Sequence, residues 1–463
     1  MKKISITLQD LFVLKDAEII NSQFYKNAFN VSTNSRSPKK RSIFVAIKGE
    51  RFDGHKFITE AVKNGASTVI ADKKKAASLP ELNCTVVLVP NTIIALGELA
   101  KIWRTKIKAK VIGITGSSGK TTVKEMTATI LSEKYKVNKT DLNNNNHIGV
   151  PITILNTKET DEYLVAELGT NHFGEIEYTA NILQPDLALI TNVGNSHLEF
   201  LKSVKEVLKE KSSLLKITNK NGGMVLINND DKLLKTLSKN FSKKMTYGFD
   251  SKSDVAGKIL GYDDEGRIRI QMKGMNKNIS AISPLYGMHN AYNLLAAVST
   301  AMSSGMKKTE ILKGIEKIKS DQKRFNIIKL PRLVLIDDTY NANPESVAFA
   351  IDAVTMMNFY NRKILLLGDM LELGEEGVKF HVAVSDKIKK IKNVEVLLIG
   401  KLMENLHSKL LQLKINSNHF KSRALLNKFL SFQKFNDAII LVKGSRGMKM
   451  EEFLSAIKEG VVK

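Results

Sequence analysis

The sequence contains a single cysteine, Cys84, among 463 residues, so no intramolecular disulfide and no cysteine-rich zinc site can form. That scarcity fits a reducing compartment, and a cytoplasmic protein is expected. Aromatic residues are sparse at 6%, with one tryptophan. Arginine is sparse too, at 11 of the 71 basic residues against 60 lysines. Proteins that read nucleic acid rely on arginine forks and stacked aromatics, and neither pattern occurs. No stretch reaches the roughly 18 apolar residues of a membrane helix. The first 16 residues lack the apolar run of a secretory signal. No nucleic-acid partner, no stable membrane association and no cleaved leader are therefore expected.

What is abundant is lysine, and the formal charge is +24. The lysines recur in short groups, as at 73–75, 106–110 and 387–392, without interleaved aromatics. This pattern reads as a solvated basic surface rather than a dedicated partner site. The apolar content of 43% is that of a globular protein, and the length exceeds what one core organises. Two or three domains follow.

Three strand–helix series divide the chain. In the first, 42–47 reads as a strand, 56–64 as a helix stopped by Gly65, and 66–71 as the next strand. The second has strands at 111–115, 163–167 and 187–191, and the third at 333–337, 363–367, 394–399 and 438–442. Such alternation predicts mainly parallel sheets covered by helices on both faces. Segment 219–284 has short alternating strands and a turn at 262–266, and reads as a β-rich part attached to the middle domain. Boundaries near 105 and 325 give domains 1–105, 106–324 and 325–463. The fold class is α/β in three domains built on mainly parallel sheets.

Strand 111–115 runs into Gly116-Ser117-Ser118-Gly119-Lys120-Thr121-Thr122, with a helix expected from Val123. Glycines let successive N–H groups converge on one anion, and the helix N-terminus adds its positive end. Lys120 would reach the β- and γ-phosphates, and the Thr121 hydroxyl would sit on Mg²⁺. The usual phosphate-loop pattern has Gly where Ile114 stands, with Gly113 just before it. A bound nucleoside triphosphate with Mg²⁺ is expected. Glu167 ends strand 163–167 at the sheet edge where ligands bind, and suits Mg²⁺, which takes carboxylates plus phosphate oxygens. His197 follows strand 187–191 and reads equally as a metal or phosphate contact or as a structural residue. Lys211, on an amphipathic helix, reads by itself as part of a solvated face.

Together these residues resemble the Mur ligases, the ATP-dependent amide ligases of peptidoglycan synthesis. The likeness rests on the phosphate loop with Glu167, on His197-Leu198-Glu199 with Lys211, and on 143–151, 167–176, 367–374 and 443–446. The stretch Asp337-Asp338-Thr339-Tyr340-Asn341-Ala342-Asn343-Pro344 is its most specific part. The family usually has Ser where Thr339 stands and Gly where Leu142 stands. The resemblance spans all three domains, and implies a central phosphate-loop parallel-sheet ATPase domain and a Rossmann-like C-terminal domain. It implies that Lys211 is carbamylated and, with Thr121, Glu167 and His197, serves the metal, while Lys120, His197 and Lys211 act in catalysis. His289, Asn290 and Asn293 would contact adenine, and Arg324 and Asp338 the nucleotide once the domains close. Ser35, Arg36 and the loop 48–54, with Lys48 and Gly49, would hold a UDP-linked substrate. Asn145, Asn146, Glu175, Tyr340, Asn341 and Asn343 would hold other parts of the substrates. The implied reaction joins D-alanyl-D-alanine to UDP-N-acetylmuramoyl-tripeptide through an acyl phosphate, in a monomer whose third domain closes by a hinge. Another Mur ligase, or a ligase resembling folylpolyglutamate synthetase, shares the phosphate loop and domain order. The stretches 337–344 and 367–374 favour D-alanyl-D-alanine addition.

Overall fold

Three sheets, each built around parallel strands, organise the chain, in a computed structural model that describes residues 4–36, 38–49, 52–320 and 323–462. The first sheet orders its five strands Glu18–Ile20, Thr85–Val89, Ala66–Asp72, Ser42–Val45 and Asn30–Ser32. Only the edge strand Glu18–Ile20 is antiparallel. Strands Ser42–Val45 and Thr85–Val89 are buried along their whole length, as apolar runs covered on both faces require.

The central sheet has nine strands. From one edge they are Lys277–Ile282, Ile268–Gly274, Val255–Tyr262, Lys244–Gly248, Met224–Asn228, Leu187–Ile190, Lys110–Thr115, Tyr163–Glu167 and Val137–Lys139. The segment 219–284 is thus no separate attachment. Its strands continue the same sheet, two of them in parallel, before a closing antiparallel meander. The third sheet orders Asn326–Leu330, Leu333–Asp338, Ala438–Lys443, Arg362–Gly368, Val394–Ile399 and Ser417–Phe420, with only the first antiparallel.

The helix after the phosphate loop starts at Lys120, three residues earlier than its apolar pattern predicts, because Gly119 rather than a polar side chain forms its N-cap. It packs against Met288–Ser303, whose buried face includes Ala291, Ala296, Ala297 and Ala301. Small side chains let the two helices approach closely. Both therefore bring their N-terminal ends to the carboxyl edge of the central sheet. Among the described residues no helix is long and apolar enough to cross a membrane.

Candidate nucleotide and ligation site

The phosphate loop leaves Lys110–Thr115 at the sheet's carboxyl edge. Gly116 and Gly119 have φ of +155° and +78°, and a Cβ at Gly119 would lie 2.5 Å from Asn293 Oδ1. A side chain there would both strain the backbone and strike a neighbour. The Ser118 amide donates to Asn192 Oδ1 at 3.0 Å, and Thr191 Oγ1 donates to Ser118 O at 2.5 Å. The segment that follows strand Leu187–Ile190 thus holds the loop in shape. Lys120 Nζ donates to Gly116 O at 2.7 Å, curled over the concavity where an anion would sit. Burial lowers the Lys120 pKa, Glu167 opposes that shift, and Arg324 adds to it.

Thr121 Oγ1 donates to Glu167 Oε2 at 2.8 Å, and Asn145 Nδ2 donates to Glu167 Oε1 at 2.9 Å. Among the described residues no three His, Cys, Asp or Glu gather around one metal position. A hydroxyl beside one carboxylate suits a hard ion that completes its shell with phosphate oxygens and water, as Mg²⁺ does. Lys211 is 1% exposed and, among the described residues, has no hydrogen bond or salt bridge. Burial pushes its pKa well below the usual lysine value, the charge of Lys120 acts in the same sense, and Glu210 opposes them. Glu210 itself accepts from the amides of Gly174 and Ile176, each at 2.8 Å, and ties the loop after Glu167 to the helix Val204–Lys220. Glu175 accepts from the amides of Asn171 and His172 at 2.7 and 3.2 Å, bonds that hold its pKa low against its burial. Asn146 Oδ1 accepts from the amides of Ile148 and Gly149 at 3.1 and 2.9 Å, just before the following helix. Leu142, where the resemblance expects Gly, has φ +47° and is exposed. That left-handed backbone explains why glycine suits the position and costs the leucine roughly 1 kcal/mol.

A cavity of about 560 Å³ opens between the central and C-terminal domains. It collects Ser117 to Thr122, Asn145, Asn146, Glu167, Glu175 and His197 from one side, with His289, Asn290 and Asn293 from the helix Met288–Ser303. Arg324, Asp338, Tyr340, Asn341 and Asn343 close it from the other side. The Arg324 guanidinium lies 3.7 Å above the Tyr340 ring. Asp338 accepts from Lys443 Nζ at 2.6 Å and from the Phe325 amide at 3.1 Å. Asn343 caps the helix Pro344–Met356 through the Ser346 amide, and Asn341 Oδ1 accepts from the Arg446 amide. His289 stacks on Phe349 at 5.3 Å, and its Nδ1 is sealed from solvent without a partner among the described residues. Burial pushes its pKa down to about 4. An unpaired ring nitrogen and an aromatic face suit a planar heterocycle bearing polar edges.

The cavity does not take in every expected residue. Gly116 and Lys211 are not among the residues that line it. Ser35, Arg36, Lys48 and Gly49 lie on the N-terminal domain, away from it. There Ser35 Oγ donates to Glu60 at 3.2 Å, the Arg36 amide donates to Asn34 Oδ1, and Lys48 pairs with Asp53 in a short bridge closed by Gly49. Glu50 and Arg51 of the same loop lie outside the described residues. His197 lines the cavity, but its Nδ1 is taken by Glu372 Oε2 at 3.0 Å, a bond that holds the Glu372 pKa low.

The lining also includes residues the sequence did not single out. Asn228, Asp230 and Asp231 follow the central strand Met224–Asn228, and Phe325 and Phe349 come from the far domain. The first three carry a usable signal, polar residues at the carboxyl end of a parallel strand. The two aromatics carry none, because only domain packing brings them to His289.

Fold and site thus define a multidomain phosphate-loop protein whose nucleotide-type cleft is completed by a second α/β domain. Three family descriptions match in order: Mur ligase family, catalytic domain, over 29–104; Mur ligase middle domain over 114–301; and Mur ligase, glutamate ligase domain, over 323–446. The chain belongs to the Mur ligase family. Among its relatives, the UDP-N-acetylmuramoyl-tripeptide–D-alanyl-D-alanine ligase of Haemophilus influenzae is 35% identical over 93% of this chain and 94% of its own. The enzyme of that name from Bacillus subtilis is 32% identical over 98% of both. A crystal structure of MurF from Acinetobacter baumannii superposes with TM-score 0.89 at 28% identity, covering 99% of this chain and 100% of that one. MurF ligase from Thermotoga maritima in complex with ADP gives 0.82 at 28% identity, covering 93% and 97%.

Proposed function

We propose that this protein joins D-alanyl-D-alanine to UDP-N-acetylmuramoyl-tripeptide at the expense of ATP, as a cytoplasmic monomer in peptidoglycan precursor synthesis. The observation that carries the reading is one cavity in which Lys120, Thr121 and Glu167 face Arg324, Asp338 and Tyr340 across a domain junction. The near full-length likeness to ligases of that name supports the choice of substrates.

In this reading residues 1–105 hold the UDP end through Ser35, Arg36, Lys48 and Gly49, residues 106–324 bind ATP, and residues 325–463 bring in the dipeptide and close over the nucleotide. A carboxylate does not condense with an amine at neutral pH, because its oxygen is too poor a leaving group. Transfer of the γ-phosphoryl group to the tripeptide carboxylate gives an acyl phosphate. The amine of D-alanyl-D-alanine then attacks the carbonyl carbon, and the tetrahedral adduct collapses with loss of phosphate. Two anions meet in the first step, and Lys120 with the positive end of its helix offsets their repulsion.

Mg²⁺ would be held by Thr121, Glu167 and His197, and when bound it would neutralise charge on the phosphates. The lowered pKa of Lys211 favours the free amine that adds carbon dioxide and loses a proton, giving a carbamate beside Lys120. His289, Asn290 and Asn293 would hold the adenine, and Asn145, Asn146, Glu175, Tyr340, Asn341 and Asn343 would position the two substrates. Closure of the third domain excludes the water that would hydrolyse the acyl phosphate.

Phosphate release with UDP-N-acetylmuramoyl-tripeptide should depend on D-alanyl-D-alanine and not on D-glutamate or a diamino acid. Release with either of the latter alone would overturn the assignment. Lys120→Ala should lower kcat at least about 1,000-fold, as loss of a preorganised charge in a dry site does. Its circular dichroism should remain that of the parent.

A further inference from the structure

His197 and Glu372 lie 175 residues apart, one after a central-sheet strand and the other on the C-terminal domain, yet they meet side chain to side chain at 3.0 Å. The contact is built from both backbones as well. The Glu199 amide donates to Glu372 O at 3.2 Å. His197 and Glu372 have φ of +54° and +64°, a left-handed conformation disfavoured for any residue with a Cβ. Two such residues facing each other across a domain junction mark a contact held in place by its surroundings. A carboxylate only accepts hydrogen bonds, so the histidine nitrogen facing it must carry the hydrogen. Nε2 is then the ring nitrogen left for the cavity that His197 lines.

We propose that Glu372 is a positioning residue of the ligation reaction. By accepting the hydrogen of His197 Nδ1 it fixes the ring's tautomer and presents Nε2 to the phosphate end of the cavity, and it does so only while the C-terminal domain is docked. Chemistry in the central domain is thereby coupled to arrival of the domain that brings the amine. The assignment rests on the ligase reading above for its kinetic consequence but not for its geometry.

Two measurements test it. In the full-length free protein, ¹⁵N NMR should show His197 with its hydrogen at Nδ1, and Glu372→Ala should shift the ring toward the Nε2–H form that free imidazole prefers. An unchanged tautomer would overturn the proposal whatever the substrate. With UDP-N-acetylmuramoyl-tripeptide, ATP and D-alanyl-D-alanine, Glu372→Ala should lower kcat by about 10- to 100-fold, the usual cost of losing a partner that orients a histidine. KM for ATP should stay within about twofold, since the other ATP contacts remain. Glu372→Gln, whose amide oxygen still accepts, should recover most of that loss. In a His197→Ala background, Glu372→Ala should cost nothing further. An equal additional loss in that background, or a raised KM with kcat unchanged, would overturn it. A wild-type enzyme that ignores D-alanyl-D-alanine would refute the substrate reading alone and leave the NMR result to decide the positioning role.

Discussion

The two domain junctions are made of different materials. Between the N-terminal and central domains a single apolar cluster runs without a break, from Ile4, Leu11 and Ile43 to Val111, Leu164 and Ile190. The helix Thr92–Lys106 is its bridge. Trp103, fully buried, donates from its indole to Thr157 O at 2.9 Å. Arg104 donates to the carbonyls of Leu183 and Gln184, each at 3.0 Å. The central and C-terminal domains instead meet through a local aromatic patch, where Tyr286 and His289 face Phe359, Phe325 and Phe349, together with several polar contacts. Asn195 donates twice to Glu345 Oε1 at 2.7 Å, His197 pairs with Glu372, and Lys329 reaches Glu265 at 2.6 Å.

Apolar burial is lost outright when such a junction opens, whereas polar contacts exchange for water at a net cost of about 1 kcal/mol each. The first junction therefore makes two domains move as one body. The second costs less to separate, and the cavity lies there.

Breaking the first junction should have the largest effect. Trp103→Ala should cost about 3–5 kcal/mol of stability through the cavity it leaves. Denaturant unfolding should show the N-terminal and central domains losing structure together. Separate transitions for those two domains would count against a shared core.

Acid should act next, and on the second junction. His289 there stacks on Phe349, with Asp338, Lys443 and Asp352 contributing to its field. Its folded pKa of about 4 lies below the ordinary histidine value, so the unfolded chain binds the proton first. The stability it contributes is complete above about pH 6.5 and is lost as pH falls toward 4, up to about 3 kcal/mol. His289→Phe should flatten that part of the pH–stability curve. A variant curve parallel to the parent's would place the acid sensitivity elsewhere.

The smallest effect should come from Glu345→Ala. Removing the acceptor for both Asn195 donors should change stability by about 1–2 kcal/mol. It should nevertheless shift small-angle scattering toward a more open form. A loss comparable to that of Trp103→Ala would erase the contrast between the junctions.

The strand–helix series and the phosphate loop were legible because their signals are local. The alternation around 42–71, 111–191 and 333–442 gave strands close to those observed, with ends off by a residue or so. The helix start at Lys120 was misplaced because a glycine N-cap leaves no side-chain signature. Segment 219–284 was legible as strands but not as a continuation of the central sheet, since pairing between Leu187–Ile190 and Met224–Asn228 depends on contacts far apart in sequence. Lys211 shows why spacing alone was insufficient. A lysine on an amphipathic helix reads as solvated, and only packing reveals it buried beside Lys120.

The sequence by itself determined the chemistry available: a glycine-rich anion loop, a lysine and a hydroxyl at fixed spacing, and a carboxylate at a strand end. Each follows from residue type and short-range periodicity, which backbone geometry translates directly. Only the tertiary structure decided which of those groups meet. It buried the Lys211 side chain without a partner among the described residues, gave His197 its carboxylate from another domain, and made one junction continuously apolar and the other mixed. Those outcomes depend on how whole sheets and helices pack, where burial and charge are set by residues hundreds of positions apart.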